Sequence, residues 1–151
     1  MNANPEPRVY LEPTQASGRA FVMRHLQGSV TMLNLLRFRR VADYCACPEL
    51  APETLISGAE AFERYIEHTL PFLHASGGQL LFLGSGGSFL IGPEEERWDL
   101  AMLVKQQSAD SFLAFADNTD YLKGLAHRSA ALEDSRLLPL QEMATFSAKA
   151  A

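Results

Sequence analysis

The sequence predicts a ferredoxin-like α+β domain, β-α-β-β-α-β, that pairs its sheet with the sheet of a second copy to form a dimeric α+β barrel, and three observations predict it. Apolar segments between Ser29 and Leu140 run strand, helix, strand, hairpin or bulge, strand, helix, strand. The first of them, Ser29–Phe38 (SVTMLNLLRF), is apolar on both sides. Thr31, Leu33, Leu35 and Arg37 lie on one side, with Met32, Asn34, Leu36 and Phe38 on the other. Helices cover only one face of such a sheet, so the other face calls for a second layer, and a second copy supplies it most simply. Lastly, 151 residues with 47% hydrophobic and 21% charged side chains suffice for one core but not for two.

Residues 1–28 read as an N-terminal extension. Met1–Pro13 holds three prolines and little periodicity, and Gln15–Gly28 places Phe21, Val22 and His25 or Leu26 at helical spacing before Gly28, which predicts a short helix. The main domain spans residues 29–140. After its first strand, Arg39–Ile56 is polar and broken by proline, an ordered loop with room for one helical turn. Ser57 and Glu60 form an S-x-x-E capping box, and Phe62, Tyr65, Ile66, Thr69, Leu70 and Leu73 then share one helix face, with Pro71 expected to loosen the last turns. Gly77 and Gly78 end that helix. GQLLFLG predicts a strand stopping at Gly84, with FLIGP as a hairpin partner or a continuation past an irregularity. Trp98–Val104 is the third strand. Ser108 caps the next helix, Asp117–Thr119 interrupts it, and Asp120–Leu132 continues it. Asp134 and Ser135 read as a turn before the short strand RLLPL, which Pro139 assigns to an edge. Residues 141–151 are a polar, Ala-rich tail.

The formal charge of −5 is dispersed along the chain, which argues against a nucleic-acid or anionic-membrane partner. No apolar run is long enough to cross a bilayer, and the start lacks a basic region followed by an apolar one, so the expected location is cytoplasmic. Cys45 and Cys47 have neither redox C-x-x-C nor zinc-site spacing and read as loop thiols. Ser85, Gly86 and Gly87 lack the lysine of a phosphate loop, and no nucleophile elbow or zinc helix occurs. No cofactor is expected.

Several separated pieces resemble a known family in the same order: Met32–Phe38 (MLNLLRF), Ser57–Tyr65 (SGAEAFERY), Gly77–Gly84 (GGQLLFLG), Trp98–Ser108 (WDLAMLVKQQS) and His127–Pro139 (HRSAALEDSRLLP). They are similar to the bacterial domain-of-unknown-function family number 1330. The resemblance implies the dimeric α+β barrel shared with cofactor-independent quinol monooxygenases, EthD-like and NIPSNAP-like proteins and some haem enzymes. It carries no catalytic set. The extension through Gly28 and the enlarged 39–56 region depart from the compact form of that family.

Candidate functional residues come from polar groups set in apolar surroundings. Asn34 must find hydrogen-bond partners in its strand, either on main chain or partner subunit, or on a ligand in a partly wet cavity. Arg37 and Arg39 are expected on one side of the strand end, where they either hold an anionic group or close salt links. His68, at the edge of the apolar helix face, is the candidate acid–base residue or haem ligand, against a core-edge role. Tyr44, Tyr65 and Trp98 are candidates for an aromatic pocket, or core groups. His127 and Arg128, near Glu133 and Asp134, read as a helix-end charge network. Two functions remain open: a binder or cofactor-independent enzyme for a small aromatic or quinone-like molecule, using Asn34, Arg37, Arg39, Tyr65, Trp98 and His68, or a non-catalytic homodimeric module.

Overall fold

The apolar run beginning at Val30 forms a nine-residue strand, β1 (Val30–Phe38), in a computed structural model that describes residues 8–144. Both its neighbours are antiparallel. On one side β3 (Arg97–Gln106) pairs from Val30↔Gln106 to Leu36↔Leu100; on the other β4 (Leu132–Gln141) pairs from Val30↔Gln141 to Phe38↔Leu132. A further strand, β2 (Gln79–Ser88), lies outside β3, giving the order β2-β3-β1-β4. Helix α2 (Gly58–Ala75) joins β1 to β2. Three short helices, α3 (Ala109–Ala116), α4 (Thr119–Leu122) and α5 (Leu125–Ala131), join β3 to β4. The chain has the ferredoxin-like fold, with its two most apolar strands in the middle of the sheet. Ahead of it stands α1 (Gln15–Met23), capped by Thr14 and Ser17 in a reciprocal box.

Alternation along β1 decides the core. Val30, Met32 and Leu36 are buried, and Leu36 packs with Ala61 and Phe62 of α2, Met102 of β3, Ala130, Ala131 and Leu132, and Tyr44 from the 39–56 loop. Thr31, Leu33, Leu35 and Arg37 stand on the opposite, open face, level with Lys105, Leu103 and Ala101 of β3 and with Leu140, Leu138, Arg136 and Asp134 of β4. No element among the described residues lays a second layer over the middle of that face. Leu138 there is 51% exposed and Leu140 37%.

Helix α2 begins as predicted, with Ser57 Oγ accepting from the Glu60 amide at 3.1 Å. Its capping box is only half closed, because the Glu60 carboxylate takes the Ser57 hydroxyl and not the cap amide. The helix continues through Pro71 to Ala75. Other expectations are corrected. The second strand does not stop at Gly84 but runs to Ser88: Gly86 lies against the Trp98 carbonyl where a Cβ has no room, so the glycines extend the ladder and FLIG falls in the turn. The stretch Asp120–Leu132 is not one helix. It breaks at Gly124, which is pressed against the His68 ring. The last strand starts at Leu132, directly off α5, and the expected turn at Asp134–Ser135 is ladder. The expected helical turn of the 39–56 loop is a 3-10 turn at Pro48–Leu50. The outermost parts of the predicted lead-in and tail, residues 1–7 and 145–151, lie outside the described residues. No helix among the described residues is long and apolar enough to cross a membrane.

One glycine is fixed by close approach. Gly58 N donates to Arg39 O at 3.0 Å while Arg39 N donates to Ala131 O at 2.8 Å, so the start of α2, the end of β1 and the end of α5 meet main chain to main chain. A Cβ on Gly58 runs into the Arg39 and Ala131 carbonyls. Gly58→Ala is expected to destabilise the fold by about 1–3 kcal/mol, as overpacking does, measured by urea denaturation against Gly18→Ala, where a Cβ meets nothing.

Candidate functional site

The polar side chains fall into two groups on opposite sides of the sheet. The first lies at the Arg37 end of the open face. A bulge between Arg37 and Phe38 sets Arg37 opposite Asp134 but Phe38 opposite Leu132, skipping Glu133. Arg37 Nη2 lies 3.4 Å from Asp134 Oδ2, its Nε faces Glu133 Oε1 at 3.6 Å, and its guanidinium covers the Trp98 ring at 5.4 Å. Arg136 covers the same ring at 4.9 Å and the Tyr10 ring at 4.8 Å. Tyr10, Arg136, Trp98 and Arg37 thus join the leading segment, β4, β3 and β1.

Asp134 is the hub of that group. Its side chain is 4% exposed and accepts from Tyr10 N at 2.8 Å, Ser135 N at 2.9 Å and Arg136 Nη1 at 2.9 Å, besides Arg37. Burial alone pushes its carboxyl upward, but the two amides and the Arg136 guanidinium outweigh it and hold the group below the usual carboxylate range. Ser135 Oγ donates to Tyr10 O at 2.5 Å, and Arg128 Nη1 donates to Leu11 O at 2.7 Å, so the leading segment is tied down residue by residue. A carboxylate so fully engaged serves as an internal counter-ion and not as a general base.

The second group lies among α2, α4, α5 and the 39–56 loop. Tyr65 and Tyr121 share a hydrogen bond of 2.7 Å; burial first, then the neighbouring Tyr65, raises the Tyr121 phenol well above its ordinary range. His68 Nε2 reaches the carbonyls of Asp120 at 2.9 Å and Tyr121 at 3.1 Å, which requires Nε2 to carry the proton. The Tyr44 hydroxyl meets His127 Nδ1 at 2.8 Å. Burial, followed by the charges of Arg64 and His68, lowers the His127 pKa, so the ring is neutral near pH 7 and accepts the Tyr44 proton when Nε2 carries its own. These bonds pin α4 to α2 and the 39–56 loop to α5.

The sequence-predicted site residues are therefore dispersed. Asn34 donates to Met32 O in its own strand at 3.2 Å. Arg37 and Trp98 come together, but with Tyr10, Arg136 and Asp134. The expected pairing of Arg37 with Arg39 is corrected by the bulge: the Arg39 main chain turns to Ala131 and α2, leaving a buried Nε with no partner among the described residues. Tyr44 and Tyr65 belong with His127 and Tyr121, on the other side of the sheet from the arginine group, so no aromatic pocket joins them to Trp98. Of the expected charge network, Arg128 turns to Leu11 and Ser135 and His127 to Tyr44. Asp99 accepts from the Phe38 amide at 2.8 Å and from Arg97. A concavity of about 380 Å³ beside the 39–56 loop is lined by groups such as Asp43, Tyr44, Cys45 and Leu55, and by none of Asn34, Arg37, Arg39, His68, Tyr65 or Trp98. No cluster of metal-ligating side chains occurs among the described residues. Sequence reasoning missed Asp134 as a hub and Arg136 and Tyr10 altogether. The i, i+2 spacing of Asp134 and Arg136 on a strand was a signal, but nothing local points to Tyr10.

Fold and side-chain arrangement define the class: a ferredoxin-like α+β protein with an open apolar sheet face and its polar side chains in two separate groups on opposite sides of the sheet. The chain belongs to the family of the RPA0582 protein. It is 30% identical to the methylated RPA0582 protein, with a TM-score of 0.79 over 89% of this chain and 96% of that one. It is 29% identical to RPA0582 from Rhodopseudomonas palustris, described as a protein of unknown function, with a TM-score of 0.77 over 91% of this chain and 100% of that one. A dimeric ferredoxin-like protein of unknown function from Bacteroides fragilis is a remote likeness, 12% identical with a TM-score of 0.46 over 78% of this chain and 99% of that one. No family model and no curated protein matches the chain.

The Asp134 carboxylate has a lowered folded pKa, so its contribution is complete above the unfolded value of about 3.9 and is lost as pH falls through the folded one. Asp134→Asn is expected to cost about 2 kcal/mol at pH 7, with parent and variant converging as the pH drops below the carboxylate range, followed by urea denaturation across pH. His127 also has a lowered pKa, so the fold loses stability as pH falls from about 6.5 toward the folded value. Imidazole resonances followed by NMR are expected to show His127 titrating below the ordinary imidazole value of about 6.5.

Proposed function

We propose that the chain works as a self-associating module whose open sheet face meets the same face of a second copy, without a catalytic centre of its own. The observation that carries this is the row Leu33, Leu35, Leu103 and Leu138, apolar side chains in register across three strands on the face the helices leave uncovered. Burying that row removes apolar surface worth roughly 25 cal/mol per Å². Arg37 and Arg136 rim it with their charges already matched by Asp134 and Glu133, as at the edge of a contact surface. Placement in domain-of-unknown-function family 1330 is part of the same reading, supported by the five segments named above. So is a cytoplasmic location, supported by two unpaired cysteines.

Binding or turnover of a small aromatic or quinone-like molecule requires Asn34, Arg37 and His68 to converge on a void. Each instead bonds to its own protein surroundings, which weighs toward the module. The test is the mass of the particle. Sedimentation equilibrium of the parent is expected to give two chains. Leu138→Asp, at a position already 51% exposed, is expected to give one chain with an unchanged far-ultraviolet spectrum. A parent that sediments as a monomer at micromolar concentration overturns the reading.

A further inference from the structure

Two close contacts fix how α2 and α5 lie against each other. At one end Gly58, the first residue of α2, meets the Ala131 carbonyl at the end of α5. At the other the His68 ring presses on Gly124, which caps the start of α5. The two helices are thus antiparallel, with residues 63 and 64 of α2 level with His127. Ala61, Arg64 and His68 follow one another at i, i+3 and i+7, along one stripe of the helix surface. Ala61 is fully buried in the cluster that holds Ala130 and Ala131, and His68 touches Gly124, so the whole stripe faces α5. Arg64 lies on the seam, across from His127.

The polar groups at this level of the seam are unevenly used. His127 Nδ1 is taken by the Tyr44 hydroxyl at 2.8 Å, which leaves Nε2 to carry the ring proton, without a partner among the described residues. The exposed Arg64 guanidinium has no hydrogen bond or ion pair among the described residues either. The carboxylates around it are turned elsewhere. Glu60 takes the Ser57 hydroxyl, Asp43 the Cys45 amide and Asp120 the Lys123 ammonium, while Glu63 and Glu67 of α2 form no ion pair with Arg64. On α5, Arg128 turns away to Leu11 and Ser135. No carboxylate acts on His127: burial first, then the charges of Arg64 and His68, lower its pKa. Burial raises the Tyr44 phenol, and the same Arg64 charge opposes it, so Arg64 reaches both members of the Tyr44–His127 pair.

We propose that the seam between α2 and α5 binds a small carboxylate ligand, its oxygens on the Arg64 guanidinium and on His127 Nε2–H. The guanidinium fork matches a carboxylate in two parallel bonds, and its one fixed positive charge balances one negative charge. The neutral imidazole adds a donor and becomes a second cation as it protonates, so the carboxylate and the proton favour each other's binding. Tyr44, by holding Nδ1, is a positioning residue for that donor. The seam lies on the helix side of the sheet, so the site does not depend on the self-association proposed above.

The test is NMR of the full chain with benzoate, a monovalent carboxylate whose own ring resonances report binding. At an ionic strength matched with chloride, benzoate is expected to bind saturably and to move the His127 titration midpoint upward. Arg64→Gln, at an exposed position, is expected to keep the far-ultraviolet spectrum of the parent. Without benzoate its His127 midpoint is expected to lie above the parent's, because a facing positive charge is gone, and its affinity for benzoate is expected to fall at least about tenfold. Arg19→Gln, which removes a cation from α1, is expected to change neither. A His127 midpoint that benzoate does not move overturns the site, as does an Arg64→Gln variant that binds or titrates like the parent. So does an equal loss of binding in Arg19→Gln, or a response to inorganic phosphate with none to benzoate. None of these readings turns on the number of chains in the particle, so a failed site and a failed self-association are told apart.

Discussion

The structure depends on one constraint: β1 is apolar on both sides and so must be covered twice. Its Val30, Met32 and Leu36 side is met by α2 and α5, where Phe62, Ala130, Ala131 and Leu132 close the core. Its Leu33 and Leu35 side is met, among the described residues, only by neighbouring strands. A two-layer domain satisfies half of what its central strand requires. The proposed self-association is therefore continuous with the fold, since the same physical effect that seats α2 on the sheet acts on the opposite face.

Charge is arranged to serve that packing. Asp134 sits buried in a strand and is made tolerable by the Ser135 amide and Arg136 guanidinium of its own strand, by the Tyr10 amide of the leading segment and by Arg37 of β1. By accepting from Tyr10 it also docks the leading segment at the start of β4. The helix-side polar group has a parallel role: Tyr44 with His127 ties the 39–56 loop to α5, and His68 with the α4 carbonyls ties α4 to α2. Both groups spend hydrogen bonds on joining separate elements of the fold.

Much of the fold was legible because it rests on local pattern. Alternation within Val30–Phe38, the Ser57 cap and the amphipathic face of α2 each report on residues within a few positions, and the element order then leaves few topologies. The candidate site was legible only in its residue types. Arg37, Tyr65 and His68 read as polar groups in need of partners, but the partners they bond to lie 97, 56 and 52 residues away in sequence, and no spacing rule reaches them. The glycines misled for a related reason. Gly84, Gly86 and Gly87 look like a stop in isolation, whereas in the sheet Gly86 lets β2 pass close to the Trp98 carbonyl.

By itself the sequence determined the α+β class, the central strand apolar on both sides and the need for a second layer, because hydrophobic periodicity is a property of consecutive residues. Only the tertiary structure decided where the polar groups went. A bulge after Arg37, a leading segment docked on Asp134 and a break at Gly124 depend on contacts between distant parts of the chain. Those contacts set the candidate residues apart on opposite sides of the sheet.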